Sequence, residues 1–202
     1  MGGCLQRILI ATGNPHKIRE VREIFAPCGI TVLTPTDVGG LAEVEEDGET
    51  FAANAIKKAE AGCQATGLWC LADDSGIEAR ALDWQPGVRS ARFAGEPCND
   101  AANNALLDQR LADQSDRYVR YRCVIALARP DQKTVVWEGT FCGEWTSAVR
   151  GTGGFGYDPH VLIPELGRTV AELTAAEKHA RSHRGQALRA FAAWLASAPR
   201  SA

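Results

Sequence analysis

Two hydrophobic rhythms alternate along this chain of 202 residues. Compact apolar runs, Arg7-Ile8-Leu9-Ile10-Ala11 and Leu68-Trp69-Cys70-Leu71, read as buried strands, whereas Ile18, Val21, Ile24 and Phe25 recur at the spacing of one helix face. Asn14 supplies an N-cap for that helix and Pro15 a first helical residue whose missing N–H costs nothing, and Pro27 with Gly29 ends it. A short strand comes next, around Thr31 to Leu33. A second helix begins near Thr50 and buries Phe51, Ala55, Ile56 and Ala59, and a third covers Asp100 to Leu111. Tyr118 to Ala128 and Thr134 to Thr146 alternate as a long hairpin around Pro130-Asp131. A last strand at Val161 to Ile163 precedes two terminal helices. Thr174 with Glu177 makes a capping box for the first, and Ser182 can cap the second, whose apolar face is Leu188, Phe191, Ala192 and Leu195. The pattern predicts an α/β fold with a mixed sheet, one domain over residues 1–202.

Composition narrows the function. An apolar content of 45% can fill the core of a single domain, in one or two lobes. The net charge of -3 argues against a general partner of nucleic-acid polymers, which carries a basic surplus on one face. A polyphosphate ligand would then need a local basic cluster, a metal ion or both. The seven cysteines, Cys4, Cys28, Cys63, Cys70, Cys98, Cys123 and Cys142, contain no C-x-x-C pair; their odd number suits a reduced compartment, and most are expected as small core residues. No apolar run approaches the roughly 20 residues of a membrane span. The first residues lack a secretory signal, so a cytoplasmic protein without a membrane partner is expected. Met1-Gly2-Gly3-Cys4 invites a myristoylation reading, but Gln6 stands where that motif wants Ser or Thr.

Four stretches carry candidate chemistry. The acids of Ala72-Asp73-Asp74-Ser75-Gly76 are expected at the carboxyl end of the strand before them, where open α/β sheets place ligands and where carboxylates can hold Mg²⁺ and activate a water. The competing expectation is an Asx turn, since Asp, Ser and Gly favour turns. Thr12-Gly13-Asn14, between a strand and a capped helix, offers free backbone N–H groups and a positive dipole end to an anion, and Lys17 adds a charge. Gly151 to Gly156 satisfies G-x-G-x-x-G, yet a strand and not a helix comes after it; a glycine-rich loop around Phe155 can still bring backbone close to a ligand while the ring stacks on a base. Lys178, His183 and Arg184 fall near a helix start, where the dipole disfavours cations, which points to a ligand. The acids Glu43, Glu45, Glu46, Asp47 and Glu49, by contrast, complement the dipole of the helix they precede.

Taken together, Thr12-Gly13-Asn14-x-x-Lys17, Ala72-Asp73-Asp74-Ser75-Gly76, Pro86-Gly87-x-x-Ser90-Ala91-Arg92, Gly153-Gly154-Phe155-Gly156-Tyr157-Asp158-Pro159 and Ser182-His183-Arg184-Gly185 resemble the noncanonical purine nucleoside triphosphate pyrophosphatases, the inosine triphosphatase or XTP/dITP diphosphatase family. The motifs stand in order from about Arg7 to Leu195. The resemblance implies a homodimeric α/β protein whose long central mixed sheet, with flanking helices, forms an active-site cleft between two lobes. It implies Mg²⁺-dependent hydrolysis of ITP, dITP and XTP to monophosphate and pyrophosphate. By position it makes Asp74 the general base and a Mg²⁺ ligand and Glu46 a second metal-site acid. Thr12, Asn14 and Lys17 become the triphosphate contacts, with Gly13 and Ser75 also on the substrate and Lys17 assisting catalysis. Phe155, Gly156, Tyr157, Asp158, Lys178, His183 and Arg184 hold the base and sugar. The chain departs from the usual pattern at Arg89, where Tyr is common, and at Trp84, where a small residue often sits.

Such an enzyme must ignore ATP, whose 6-amino group replaces a 6-keto oxygen. A donor aimed at O6 is the required device, and Arg184, Lys178, His183 or backbone N–H groups could each supply it. Two rival readings stay open: a nucleotide-binding sensor without catalysis, and a triphosphate pyrophosphatase that prefers another base, such as a pyrimidine.

Overall fold

The computed structural model describes residues 7–197. Cys4 and the Met1 to Gln6 stretch considered for acylation lie outside the described residues. Seven strands form one sheet in the order β2-β1-β3-β4-β5-β6-β7. β1 (Arg7–Ile10) runs parallel to β2 (Thr31–Leu33) on one side and to β3 (Cys70–Ala79) on the other, with α1 (Pro15–Phe25) and α2 (Phe51–Thr66) in the connections that parallel pairing demands. After α3 (Asp100–Leu111), β4 (Tyr118–Arg129) and β5 (Gln132–Trp145) are joined at Pro130-Asp131, where Asp131 takes a left-handed φ of 56°, a conformation that Asp tolerates. β6 (Val161–Ile163) and β7 (Arg168–Thr169) extend the sheet antiparallel, and α4 (Ala175–Arg181) and α5 (His183–Ser197) close the described chain. The mixed α/β sheet read from the sequence is therefore present. β7 escaped that reading because two residues carry no period.

The chain divides into two compact units, and the division falls within β3, β4 and β5. The first holds the described residues through Asp74, Val124–Gly139 and the chain from Arg184 onward. In it Ile8, Leu9 and Ile10 of β1 are fully buried, and the Phe25 ring of α1 lies 5.4 Å from Phe191 of α5, which Trp137 of β5 meets edge-on at 5.1 Å. The second unit, Ser75–Cys123 with Thr140–His183, packs Ile77, Leu107, Leu111, Val119, Trp145 and Val161 into a core of its own.

One expectation needs correction. β3 does not stop before its acids: Asp73 and Asp74 lie inside the strand, not in an Asx turn. The parallel neighbour is what ends, since β1 is last paired at Ile10 opposite Leu71. The acids thus emerge just past the carboxyl edge of the parallel pair while β3 itself continues. The cysteines also divide differently from expectation: Cys63, Cys70 and Cys123 are core residues, but Cys28, Cys98 and Cys142 are exposed. Among the described residues no helix is long and apolar enough to cross a membrane.

α2 approaches β3 so closely at Gly62 that a Cβ there would stand 2.5 Å from the Cys70 sulfur. Alanine is the better helix former by about 1 kcal/mol, yet overpacking of this kind costs about 1–3 kcal/mol. We expect Gly62→Ala to lower the thermal midpoint, measured by circular dichroism, against its helix propensity.

Candidate active site

In the connection from β1 to α1 the N–H groups of Asn14, His16 and Lys17, expected to be free for an anion, are engaged by side chains. Asn14 caps α1, its Oδ1 accepting the N–H groups of His16 at 2.9 Å and Lys17 at 3.4 Å, while Thr12 Oγ1 accepts the Asn14 N–H at 3.2 Å. Gly13 is exposed, and a Cβ there would meet nothing within 4 Å, so the backbone can be approached closely. Lys17, on the first turn, places its ammonium 3.1 Å from Asp73 Oδ2.

Successive side chains of a strand point to opposite faces, and the two acids accordingly take different partners. Asp73 meets Lys17 of α1 and Arg184 of α5: the Arg184 Nε donates to Asp73 Oδ2 at 3.1 Å while Nη1 donates to Glu20 Oε2 at 2.7 Å. Burial alone would raise the Asp73 carboxyl, but Lys17, Arg184 and Lys58 outweigh it and hold the group well below the usual carboxylate range. Asp74 faces α2. Asn54 Nδ2 donates to its Oδ2 at 3.0 Å, and the Lys58 ammonium lies 3.9 Å from Oδ1 and 3.0 Å from Glu46 Oε2. Here burial prevails over Lys58 and Asn54, Glu46 adds repulsion, and the carboxyl is pushed up to about 6. Asn54 also fixes the acidic stretch, accepting the Gly48 N–H at 2.8 Å. Glu46 and Asp74 thus share one cation, and they are hard oxygen donors of the kind Mg²⁺ takes. Among the described residues no group of three or more His, Cys, Asp or Glu side chains could hold a metal, so a Mg²⁺ here would have these two carboxylates as protein ligands, which suits an ion that usually keeps waters and substrate phosphates in its shell.

The second unit carries a different constellation. Asp158 is buried and accepts three donors: the Tyr121 hydroxyl at 3.0 Å on Oδ1, and the Phe155 N–H at 2.9 Å and Lys178 Nζ at 2.7 Å on Oδ2. Gly154 has φ of 74°, and a Cβ on it would run into the Asp158 carboxylate, so glycine is required there. The Lys178 ammonium sits 4.5 Å from the centroid of the half-buried Phe155 ring, and the His183 ring stacks on Tyr121 at 4.9 Å. Tyr121, Asp158, Lys178, Ser182 and His183 line a small pocket with Phe141 and Leu173 among its apolar walls. No helix opens after Gly151 to Gly156; a short 3₁₀ turn at Asp158–His160 leads into β6, as the sequence context required.

The remaining residues singled out from sequence have varied fates. The Tyr157 hydroxyl donates to the Ser90 carbonyl at 2.7 Å and its ring belongs to the second unit's core. The Gly156 backbone is engaged on both sides, its N–H by Asp100 at 3.0 Å and its carbonyl by Asn104 at 3.0 Å. Ser75 is half-buried on β3. Lys178 stands in the last turn of α4, where the dipole favours a cation, and not at a helix start as expected. Arg184 is in the first turn of α5, where Glu20 and Asp73 offset the unfavourable dipole. Sequence reasoning missed Glu20, Asn54, Lys58 and Tyr121. The signal existed for three of them, because Glu20 lies three residues beyond Lys17, and Asn54 and Lys58 are four apart, so each pair shares a helix face.

The model of the Ham1 family matches residues 8–194. A dITP/XTP pyrophosphatase of Desulforamulus reducens is 49% identical over 185 residues, covering 91% of this chain and 92% of that protein. Another, from Ralstonia nicotianae, is 49% identical over 189 residues, covering 91% and 94%. The solved structure of a HAM1 protein from Coxiella burnetii aligns with a TM-score of 0.89 at 40% identity, covering 96% of this chain and 100% of that one.

Two outcomes test the electrostatics. A carboxyl whose folded pKa of about 6 exceeds its unfolded value near 3.9 contributes stability that is complete below about pH 4 and lost as pH rises through about 6. In protein stripped of divalent ions, the Asp74 carboxyl should therefore titrate near 6 by ¹³C NMR, and Asp74→Asn should raise the thermal midpoint at pH 8 but not at pH 4. Arg184→Met strips one partner from both Glu20 and Asp73 and should destabilise the protein by about 3–5 kcal/mol in urea unfolding.

Proposed function

The chain belongs to the Ham1 family, and on that premise we propose that it is a pyrophosphatase hydrolysing the noncanonical purine nucleoside triphosphates dITP, XTP and ITP to the monophosphate and pyrophosphate, so keeping them out of the nucleotide pool. The observation that carries this reading is the contrast between the two strand neighbours. Asp73 is held ionised against Lys17 and Arg184, while Asp74, beside Glu46 and Lys58, is set near neutrality, the range a general base needs. A pure binder gains nothing from crowding carboxylates beside phosphates.

The triphosphate tail is assigned to the connection from β1 to α1, with Thr12, Gly13, Asn14 and Ser75 around it, the positive dipole end of the helix facing it and the Lys17 ammonium opposing its charge. Asp74 orients the attacking water and takes its proton. Lys17 stabilises the charge that develops on the pyrophosphate leaving group. Glu46 and Asp74 would hold Mg²⁺, which when bound neutralises phosphate charge and lowers the pKa of water. The base and sugar are assigned to the Phe155 to Asp158 turn with Lys178, His183 and Arg184. Phe155 offers a ring face, Asp158 anchors Lys178, and the side chains of Lys178, His183 and Arg184, with backbone N–H groups, are the donors from which the reader of O6 is drawn. Of these, Arg184 has its Nε and Nη1 committed to Asp73 and Glu20. A buried donor left unpaired by the 6-amino group of ATP can reject that substrate by about 10⁴ to 10⁵. We read the whole chain as one inosine-triphosphatase-like domain that works as a cytoplasmic homodimer on free nucleotides.

Pyrophosphate release from a panel of ITP, XTP, dUTP and ATP, with and without Mg²⁺, is the direct test. Turnover of ITP and XTP that needs the ion and largely spares ATP is expected. Preference for dUTP would overturn the purine assignment, and binding without release would make the protein a nucleotide sensor. Asp74→Asn should lose at least about 10² in kcat while remaining folded; activity within threefold of the parent would remove Asp74 from the mechanism.

A further inference from the structure

We propose that Tyr121 is a positioning residue for the pocket of the second unit, its hydroxyl acting through the Asp158 carboxylate to aim the Lys178 ammonium. This rests on the reading of that pocket as the place of the base. Tyr121 lies on β4 and is almost fully buried. Its hydroxyl holds Asp158 Oδ1, and the Phe155 N–H and Lys178 hold Oδ2.

The division between the two oxygens is what matters. The terminal torsion of a carboxyl group is broad. Donors on a single oxygen leave its plane free to turn, whereas donors on both fix it. Lys178 is long and flexible, and the bond to Asp158 is what keeps its ammonium over the Phe155 ring. A carboxylate free to rotate would therefore loosen the donor that the base meets. Burial next to Asp158 also raises the phenol well above its ordinary pKa, so the hydroxyl stays a donor at every working pH. The ring has a separate task, since it stacks nearly parallel to His183, with 9° between the planes. One side chain thus reaches two groups of the pocket, His183 by its face and Lys178 through its oxygen.

Tyr121→Phe separates these tasks, because it keeps the ring and removes only the oxygen. We expect the KM for ITP to rise about 3- to 10-fold, the scale of one hydrogen bond, with kcat within about twofold, and the preference for ITP over ATP to fall by a similar factor. Lys178→Ala should weaken ITP more strongly. Adding Tyr121→Phe to Lys178→Ala should then change nothing further, a non-additivity that a merely structural role would not produce. An unchanged KM in Tyr121→Phe, a loss confined to kcat, or an undiminished effect of Tyr121→Phe in the Lys178→Ala background would overturn the inference and leave the pocket reading standing. ITP and ATP kinetics unchanged in Lys178→Ala would overturn the pocket reading, and the inference with it.

Discussion

A carboxylate taken out of water is tolerated only where cations and hydrogen-bond donors replace its hydration, and β3 buries two in succession. Much of the first unit answers that demand. α1 contributes Lys17 and, through Glu20, a counter-charge for Arg184; α5 contributes Arg184 itself; α2 contributes Asn54 and Lys58. Each helix packs on the sheet by its apolar face and at the same time delivers a polar group to one of two neighbouring residues. The apolar core and the charged cluster are built from the same helices, so neither can be rearranged without the other.

Because a strand alternates its faces, adjacent and chemically identical side chains come to different electrostatic ends. Asp73 is surrounded by more positive charge than its burial can cancel and remains an anion. Asp74 shares the Lys58 ammonium with Glu46, and burial decides its behaviour. A permanent anion that organises cations and a titrating carboxyl that can exchange a proton are what hydrolysis of a charged anhydride requires. The second unit solves the opposite problem with the same materials: Asp158 takes donors from a strand, a turn and a helix, and its charge serves to hold other groups still.

Those parts of the architecture whose cause is local were legible in the sequence. The Asn14-Pro15 start of α1, the start of α2 near Thr50 and the Thr174-Glu177 capping box of α4 depend on neighbours within four residues, and they stand where the pattern put them. The extent of β3 was not legible, because polar residues in a strand look like its end unless the distant partners that compensate them are known. For the same reason neither the ion pair of Glu20 with Arg184, separated by 164 residues, nor the bond of the Tyr157 hydroxyl to the Ser90 carbonyl could be read from spacing. The glycine-rich loop was correctly denied a dinucleotide role by the strand on its carboxyl side, since β6 leaves no helix for a pyrophosphate to cap.

The alternation along β3 has an evolutionary consequence. Replacing one acid is a local event, but inserting or deleting a single residue between Cys70 and Asp73 would exchange the faces of both. After an insertion the residue meant for Lys17 and Arg184 would be presented to Asn54 and Lys58. After a deletion Asp74 would stand in the place of Asp73 and Ser75 in that of Asp74, so the place facing Asn54 and Lys58 would lose its carboxylate.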